Sequence, residues 1–480
     1  MARSSFLGGK ISRASSGDSW SRFLNKGKAV LVAAAFTAGQ TIAASSASAQ
    51  SLLRDAEIEG WLNEKSAPIL EVAGIDPGRI DIYLIGDPTF NAFAGGRIMG
   101  FHTGMLTYAG VPGQADTMVT PNEIEAVIAH EVGHIAGGHT ARSDEAISRA
   151  TTPMLLSLVL AAGAVAAGAP QAGIGILGLG QNIGIANYLK YSRSQESAAD
   201  QSGLRFLDDI GKSGKGAINI WSKLRNTQII RGRQINPYRV THPLANDREV
   251  ALRARAEASP HYNKVDPPEE IQRLRMIQAK INGFMQDPRF TMRQYPPSDT
   301  SDAAHYARAV AYYRDADLER AEEQIDTLLA LYPDNPFFHE LKGQMMFEFG
   351  RIEESIEPHR KSVQLAPDEP LFRINLGRAL LGREDVAYLD EAISELKGAL
   401  LLETDNAFAW FELSRAYGLQ GDIPMAHLAT AESKYHSGRI GEAAQFAQKA
   451  LRELPPSSPD RRRAMDVLAA AQARAAQARR

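Results

Sequence analysis

From residue 300 onward the chain repeats itself, and a repeat narrows the available folds more sharply than any composition does. Pro333 and Pro367 stand 34 residues apart, as do Pro336 and Pro370, and Gly343 and Gly377. With Pro333 closing one unit, Ala309, Tyr312 and Ala321 take its small, aromatic and small positions. The third unit carries three extra residues around Arg383 to Asp385, after which Ala392, Ala399, Trp410, Leu413, Tyr417 and Ala426 resume the pattern. A last, irregular unit runs through Gly438 and Ala443 to Pro455 and overlaps its neighbour. Each unit is a helix pair that cannot bury its own apolar face, so the units have to stack.

Thirty-four residues is the tetratricopeptide period, and it predicts an all-α solenoid over 301–457 with an Ala/Arg-rich helix over 458–480. Ahead of it, Pro260, Pro267, Pro268, Pro288, Pro296 and Pro297 accumulate among charges, which reads as a linker over 259–300 around one amphipathic helix. Residues 50–258 mix helical and strand-like patterns, as an α+β domain does. Arg97 to Gly104 is the best strand candidate. Thr120-Pro121-Asn122-Glu123 is a strong helix start, with Thr120 as cap, Pro121 at the first helical position and Glu123 completing a capping box. Ile124, Val127, Ile128, Val132 and Ile135 then recur at helical spacing until Gly137-Gly138.

The first 49 residues stand apart. Arg3, Lys10, Arg13, Arg22, Lys26 and Lys28 precede an apolar core, Ala29 to Gly39, and Ala47-Ser48-Ala49 reads as a cleavage site. The pattern reads as a cleavable signal peptide, with a transit peptide or an uncleaved anchor as the other readings. A secreted, periplasmic chain without a lipid anchor is expected. Net charge is −3, which argues against nucleic acid as a partner. There are no cysteines, so any metal site must be built from His, Asp and Glu. Residues 150–189 carry no charge and split at Ala169-Pro170 into two Ala/Gly-rich segments. A packed helical hairpin is the reading preferred over a membrane contact, and no stable membrane span is expected.

His130-Glu131-Val132-Gly133-His134 carries the chemistry. One helical turn separates His130 from His134, so both imidazoles can reach one metal ion, with Glu131 beside them. A zinc hydrolase needs a third protein ligand. A histidine six residues past His134 would serve, but Thr140 stands there and His139 is one residue off. The other source is a later helix. Ser192 to Asp200 offers Glu196 as ligand and, one turn on, Asp200 as acceptor for a ligand imidazole N–H, with small residues between them that allow close packing.

With Glu196 to Asp200 following the His-Glu-Val-Gly-His segment, and Thr241-His242-Pro243 after that, the chain resembles the metallopeptidases that include HtpX and the CAAX prenyl endopeptidases. Asn91-Ala92-Phe93-Ala94 ahead of Gly104-Met105-Leu106 matches as well. A secreted member with C-terminal tetratricopeptide repeats is similar to the BepA-like periplasmic protease-chaperones. The resemblance covers residues 50–455. It implies a gluzincin-type α+β zinc metalloprotease domain, one Zn2+ per chain, and misfolded or stalled outer-membrane proteins as substrates. It also implies a chaperone activity, and the outer-membrane assembly machinery as partner of the repeats. It gives His242 a role near the zinc, either holding a resting state or acting near the oxyanion. His102 and His139 read as structural.

The expected reaction is endopeptidase hydrolysis with Glu131 as general base and an extended substrate added along the 97–104 strand edge. Two rivals compete with it. One is a non-proteolytic tetratricopeptide chaperone or adaptor with a latent or structural metal site. The other is an integral-membrane protease with a hairpin over 153–187.

Overall fold

The computed structural model describes residues 51–107, 118–139, 193–231, 242 and 246–477. The signal-peptide reading, the uncharged 150–189 stretch, Thr140, Thr241 and Pro243 lie outside these residues.

A small sheet opens the described chain: β1 (Ser51–Leu53), β2 (Asp81–Gly86), β3 (Ala92–Gly95) and β4 (Ile98–His102). The order across it is β1-β2-β4-β3. β2 and β4 run parallel, while β1 on β2 and β3 on β4 are antiparallel. This corrects one expectation. The strand at 98–102 is paired on both sides and offers no free edge. The outer strand beside it is β3, set there by a hairpin that aligns Gly95 with Ile98. A local hydrophobic pattern marks a strand but does not say which neighbours it acquires.

Helix α1 (Ala56–Val72) packs on the sheet, and a short α2 (Thr103–Leu106) follows β4. Helix α3 (Pro121–Ala136) starts as its sequence dictates. Thr120 Oγ1 accepts from the Glu123 backbone N–H at 3.3 Å, and Glu123 Oε2 accepts from the Thr120 N–H at 3.0 Å. A satisfied cap of this kind contributes about 1 kcal/mol. Ile124, Val127, Ile128 and Val132 enter one core with Trp61, Leu62 and Ile69 of α1 and Met99 and Phe101 of β4. A helix over 193–209, α4, lies across α3. Then come α5 (Lys215–Arg231) and α6 (Asn246–Glu257).

The stretch read as a linker holds two helices rather than one, α7 (Pro268–Met285) and α8 (Pro288–Gln294). Pro268 and Pro288 are first-turn prolines, where the missing N–H costs nothing. Nor does α7 behave as a tether. Leu274, Ile277 and Ile281 join the sheet-bearing core, while Met276 and Ala279 join the core of the first repeats. Gln278, fully buried, donates to the carbonyls of Leu106 and Val119 at 2.9 and 3.2 Å.

The repeats are antiparallel helix pairs: α9 (Asp302–Arg314) with α10 (Leu318–Leu331), α11 (Pro336–Glu348) with α12 (Ile352–Leu365), α13 (Pro370–Gly382) with α14 (Leu389–Leu402), and α15 (Ala407–Gln420) with α16 (Ile423–His436). Ala316, Gly350 and Glu384, spaced by the repeat period, all turn with positive φ (60°, 78° and 53°) between the helices of their pairs. The third unit's extra residues lie in a 3-10 turn, Val386–Tyr388. The irregular last unit has a simple cause: α16 closes one pair and opens the next with α17 (Ile440–Glu453), on which α18 (Pro459–Gln477) packs. Among the described residues no helix is long and apolar enough to cross a membrane.

Candidate metal centre

Helices α3 and α4 touch backbone to backbone. A Cβ added at Gly133 would lie 2.7 Å from the Ala199 carbonyl oxygen, and one added at Gly203 would lie 3.0 Å from that of Ala129. The Ala and Gly residues on these faces permit that approach, and it carries Glu196 over the pair of histidines on α3.

The result is a buried group of four, His130, His134, Glu196 and His242, each offering one ligand atom within 4.8 Å of the others. His130 Nε2 is 3.1 Å from His134 Nε2. Glu196 Oε2 and Oε1 lie 3.4 Å from the two Nε2 atoms respectively. His242 Nδ1 is 3.3 Å from His130 Nε2 and 3.1 Å from Glu196 Oε2. Ligands bonded to one tetrahedral zinc at about 2.0–2.1 Å stand about 3.3 Å apart. The spacing of this donor set therefore fits zinc, and its chemistry of nitrogen and carboxylate oxygen without thiolate fits as well. Glu131 is buried next to the group, with its Oε1 3.6 Å from His242 Nε2.

Around the four lies a charged shell. Asp200 Oδ1 is 3.0 Å from His130 Nδ1, on the side of the ring away from the cluster. Asp200 in turn accepts from Arg248 Nε at 2.8 Å and from a second guanidinium nitrogen at 2.9 Å, while Arg248 also lies 3.0 Å from Glu196 Oε2 and over the Trp221 ring. Burial disfavours charge on His130, but Asp200 and Glu196 outweigh it and push the imidazole up to about 10. Burial would raise Glu196, yet its contacts with His130, His134 and His242 hold it far below the usual carboxylate range. Burial likewise opposes ionisation of Asp200, and His130 and Arg248 override it. His134 is lowered, first by burial and then by neighbouring His130. The site is thus set up to hold its carboxylates ionised beside imidazoles.

Residues 56–256 match the model of Peptidase family M48. The match takes in the sheet-bearing part of the chain and less than half of its length. The chain is similar to the Beta-barrel assembly-enhancing protease of Yersinia pestis, 24% identical over 375 residues that make up 75% of this chain and 72% of that protein. The protease of the same name from Escherichia coli (strain K12) is 21% identical over 410 residues, 84% of this chain and 80% of that protein. Tetratricopeptide repeat protein 13 of Homo sapiens is 26% identical over 168 residues, 34% of this chain and 17% of that protein. M48 peptidases use zinc, so the chain is a zinc-dependent metalloendopeptidase followed by a helical-repeat region.

The residues singled out in the sequence for a metal site, His130, Glu131, His134, Glu196, Asp200 and His242, lie together here. His102 does not. Its Nδ1 lies 3.0 Å from Thr89 Oγ1 at the end of β4. Arg248 escaped the sequence reading. The one signal for it is an arginine in the first turn of α6, six residues after His242.

Proposed function

We propose that His130, His134 and Glu196 hold one Zn2+, that Glu131 is the general base and that His242 governs access to the fourth position. When bound, the ion supplies a Lewis acid for the scissile carbonyl and for water. Glu131 accepts the proton of the attacking water and passes it to the leaving amine. Asp200 orients His130 through Nδ1, and Arg248 keeps both Asp200 and Glu196 ionised.

The observation that carries this reading is the clustering of four buried donor groups, each with a ligand atom within 4.8 Å of the others, with a buried Glu131 beside them. A structural metal site has no use for that base. Because His242 Nδ1 stands against His130 and Glu196, it would close the donor set around a bound ion, and its ring would have to withdraw before a peptide enters. The substrate is an extended segment adding to β3, the outer strand that packs against the metal-binding helix.

The relatives' printed name extends the proposal. The chain acts in the periplasm on stalled or misfolded outer-membrane proteins. Its repeats engage the β-barrel assembly machinery, and the protein has a chaperone activity when resting. In domain terms this is a signal peptide over 1–49, the protease over 50–258, and repeats over 301–457 closed by the helix of 458–480.

The test measures zinc per chain and casein cleavage for wild type, Glu131→Gln and His242→Ala. One zinc in all three, cleavage in wild type and a loss of about 10²–10⁴-fold in Glu131→Gln is expected. Faster cleavage by His242→Ala would mark the resting state. Full activity in Glu131→Gln, or wild type without zinc, would sink the assignment.

A further inference from the structure

His139 has a partner that its place beyond the helix does not suggest. Helix α3 ends at Ala136, Gly137 is its cap, and Gly138 turns the chain at φ 62°. That left-handed turn is open to glycine at little cost. The reversal is fixed by the His139 backbone N–H, which donates to the His134 carbonyl at 3.1 Å, and by Gln195 Nε2, which donates to the His139 carbonyl at 3.3 Å. The imidazole thereby folds back over the helix end. Its Nδ1 stands 2.9 Å from His134 Nδ1, with the two rings 5.0 Å apart and near perpendicular at 78°. Gly137 makes the room. A Cβ there would lie 2.4 Å from His139 Nε2 and 2.8 Å from two ring carbons.

We propose that His139 is the positioning residue of His134, and that Gly137-Gly138-His139 is a device for placing it. The proposal rests on the zinc assignment above. His134 turns Nε2 toward His130 and Glu196. For that nitrogen to offer its lone pair, the proton must sit on Nδ1, and Nδ1–H then needs an acceptor. His139 Nδ1 is that acceptor, and its own proton is on Nε2. The two ligand histidines are therefore oriented by different groups: an anionic carboxylate behind His130 and a neutral imidazole behind His134. An outer partner of this kind fixes ring and tautomer, and its loss typically weakens metal binding about 10–100-fold.

The geometry also names a rescuing substitution. The side-chain oxygen of asparagine occupies nearly the same place as Nδ1 of histidine, whereas that of glutamine lies one bond further out. The experiment titrates Zn2+ against a fluorescent chelator, and records the Co2+ visible spectrum, for wild type, His139→Asn, His139→Gln, His139→Leu and Gly137→Ala. Circular dichroism checks that each variant folds.

His139→Asn is expected to bind within about 3-fold of wild type, and His139→Gln and His139→Leu to lose about 10–100-fold with an altered cobalt spectrum. Gly137→Ala, whose backbone already suits a helix, is expected to behave like His139→Leu toward metal while melting no lower in the metal-free state. Wild-type affinity in His139→Leu would overturn the proposal. So would a His139→Asn variant as weak as His139→Leu, because the ring would then act by packing alone. A wild type that takes no zinc would instead refute the metal assignment, before any variant is compared.

Discussion

Replacing Gly133 by alanine tests whether the α3–α4 contact sets the metal site. The new Cβ would lie 2.7 Å from the Ala199 carbonyl oxygen and 3.0 Å from its Cα, where ordinary contact begins at 3.4 Å. Both atoms are helix backbone, so no flexible side chain can yield. The helices must part by about 0.7 Å locally, an overpacking that costs about 1–3 kcal/mol. Alanine returns about 1 kcal/mol of helix propensity. The metal-free fold should therefore lose about 0–2 kcal/mol. The site is affected more strongly, because it tolerates a displacement of only about 0.5 Å and Glu196 rides on the displaced helix. A 100-fold weaker zinc affinity would remove about 2.7 kcal/mol of the ion's stabilisation. The assay is thermal melting with excess zinc and with chelator, together with a zinc titration. A small change in the chelated melting temperature and a large loss of the zinc-induced increase are expected. An unchanged zinc-induced increase in Gly133→Ala would refute the reasoning.

Arg248→Met removes the cation shared by Asp200 and Glu196. Breaking such a buried network costs about 3–5 kcal/mol, and melts should show a larger loss in chelator than in zinc, which itself compensates Glu196. Equal losses in both would count against the clamp. Glu340 and Glu369 are both raised to about 7, each chiefly by burial, with Asp55 and Glu57 adding to the effect on Glu340 and Glu59 to that on Glu369. The folded chain therefore keeps two protons that the unfolded chain releases near 4.5, so the contribution of these two groups to stability declines as pH rises from about 4.5 through 7 and levels off above. Melting across pH 5 to 8.5 should show that decline, and the Glu340→Gln, Glu369→Gln double variant should flatten it. An unaltered slope in the double variant would exclude these residues as its source.

The proposed ligands His130, His134 and Glu196 were legible largely through local rules. One turn of helix aligns His130 with His134, and the same turn relates Glu196 to Asp200. The capping box fixed where α3 begins. The repeat period located the solenoid, including the three-residue insertion, because each helix pair meets mainly its neighbours. What the sequence hid is non-local. Strand 98–102 reads as an edge until β3 folds back beside it. Pro268 and Pro288 suggest a linker by composition, although each starts a helix. Arg248 carries no local mark, since its role arises only when α6 approaches both α4 and α5. His139 looks like a surplus histidine until Gly138 reverses the chain.

Helix α7 gives the molecule a mechanical property. Its two faces are cemented into different cores, and Gln278 grips the carbonyls of Leu106 and Val119, the latter one residue before the cap of the metal-binding helix. Lys280 on the same helix pairs with Asp55 and Glu57 at 2.8 and 3.1 Å, and Arg54 reaches Glu403 in the repeats at 2.7 Å. The solenoid is thus a lever whose fulcrum is built into the peptidase. Helix α7 therefore leaves no slack between the first repeats and Val119, the residue before the cap of the helix that bears His130, Glu131 and His134.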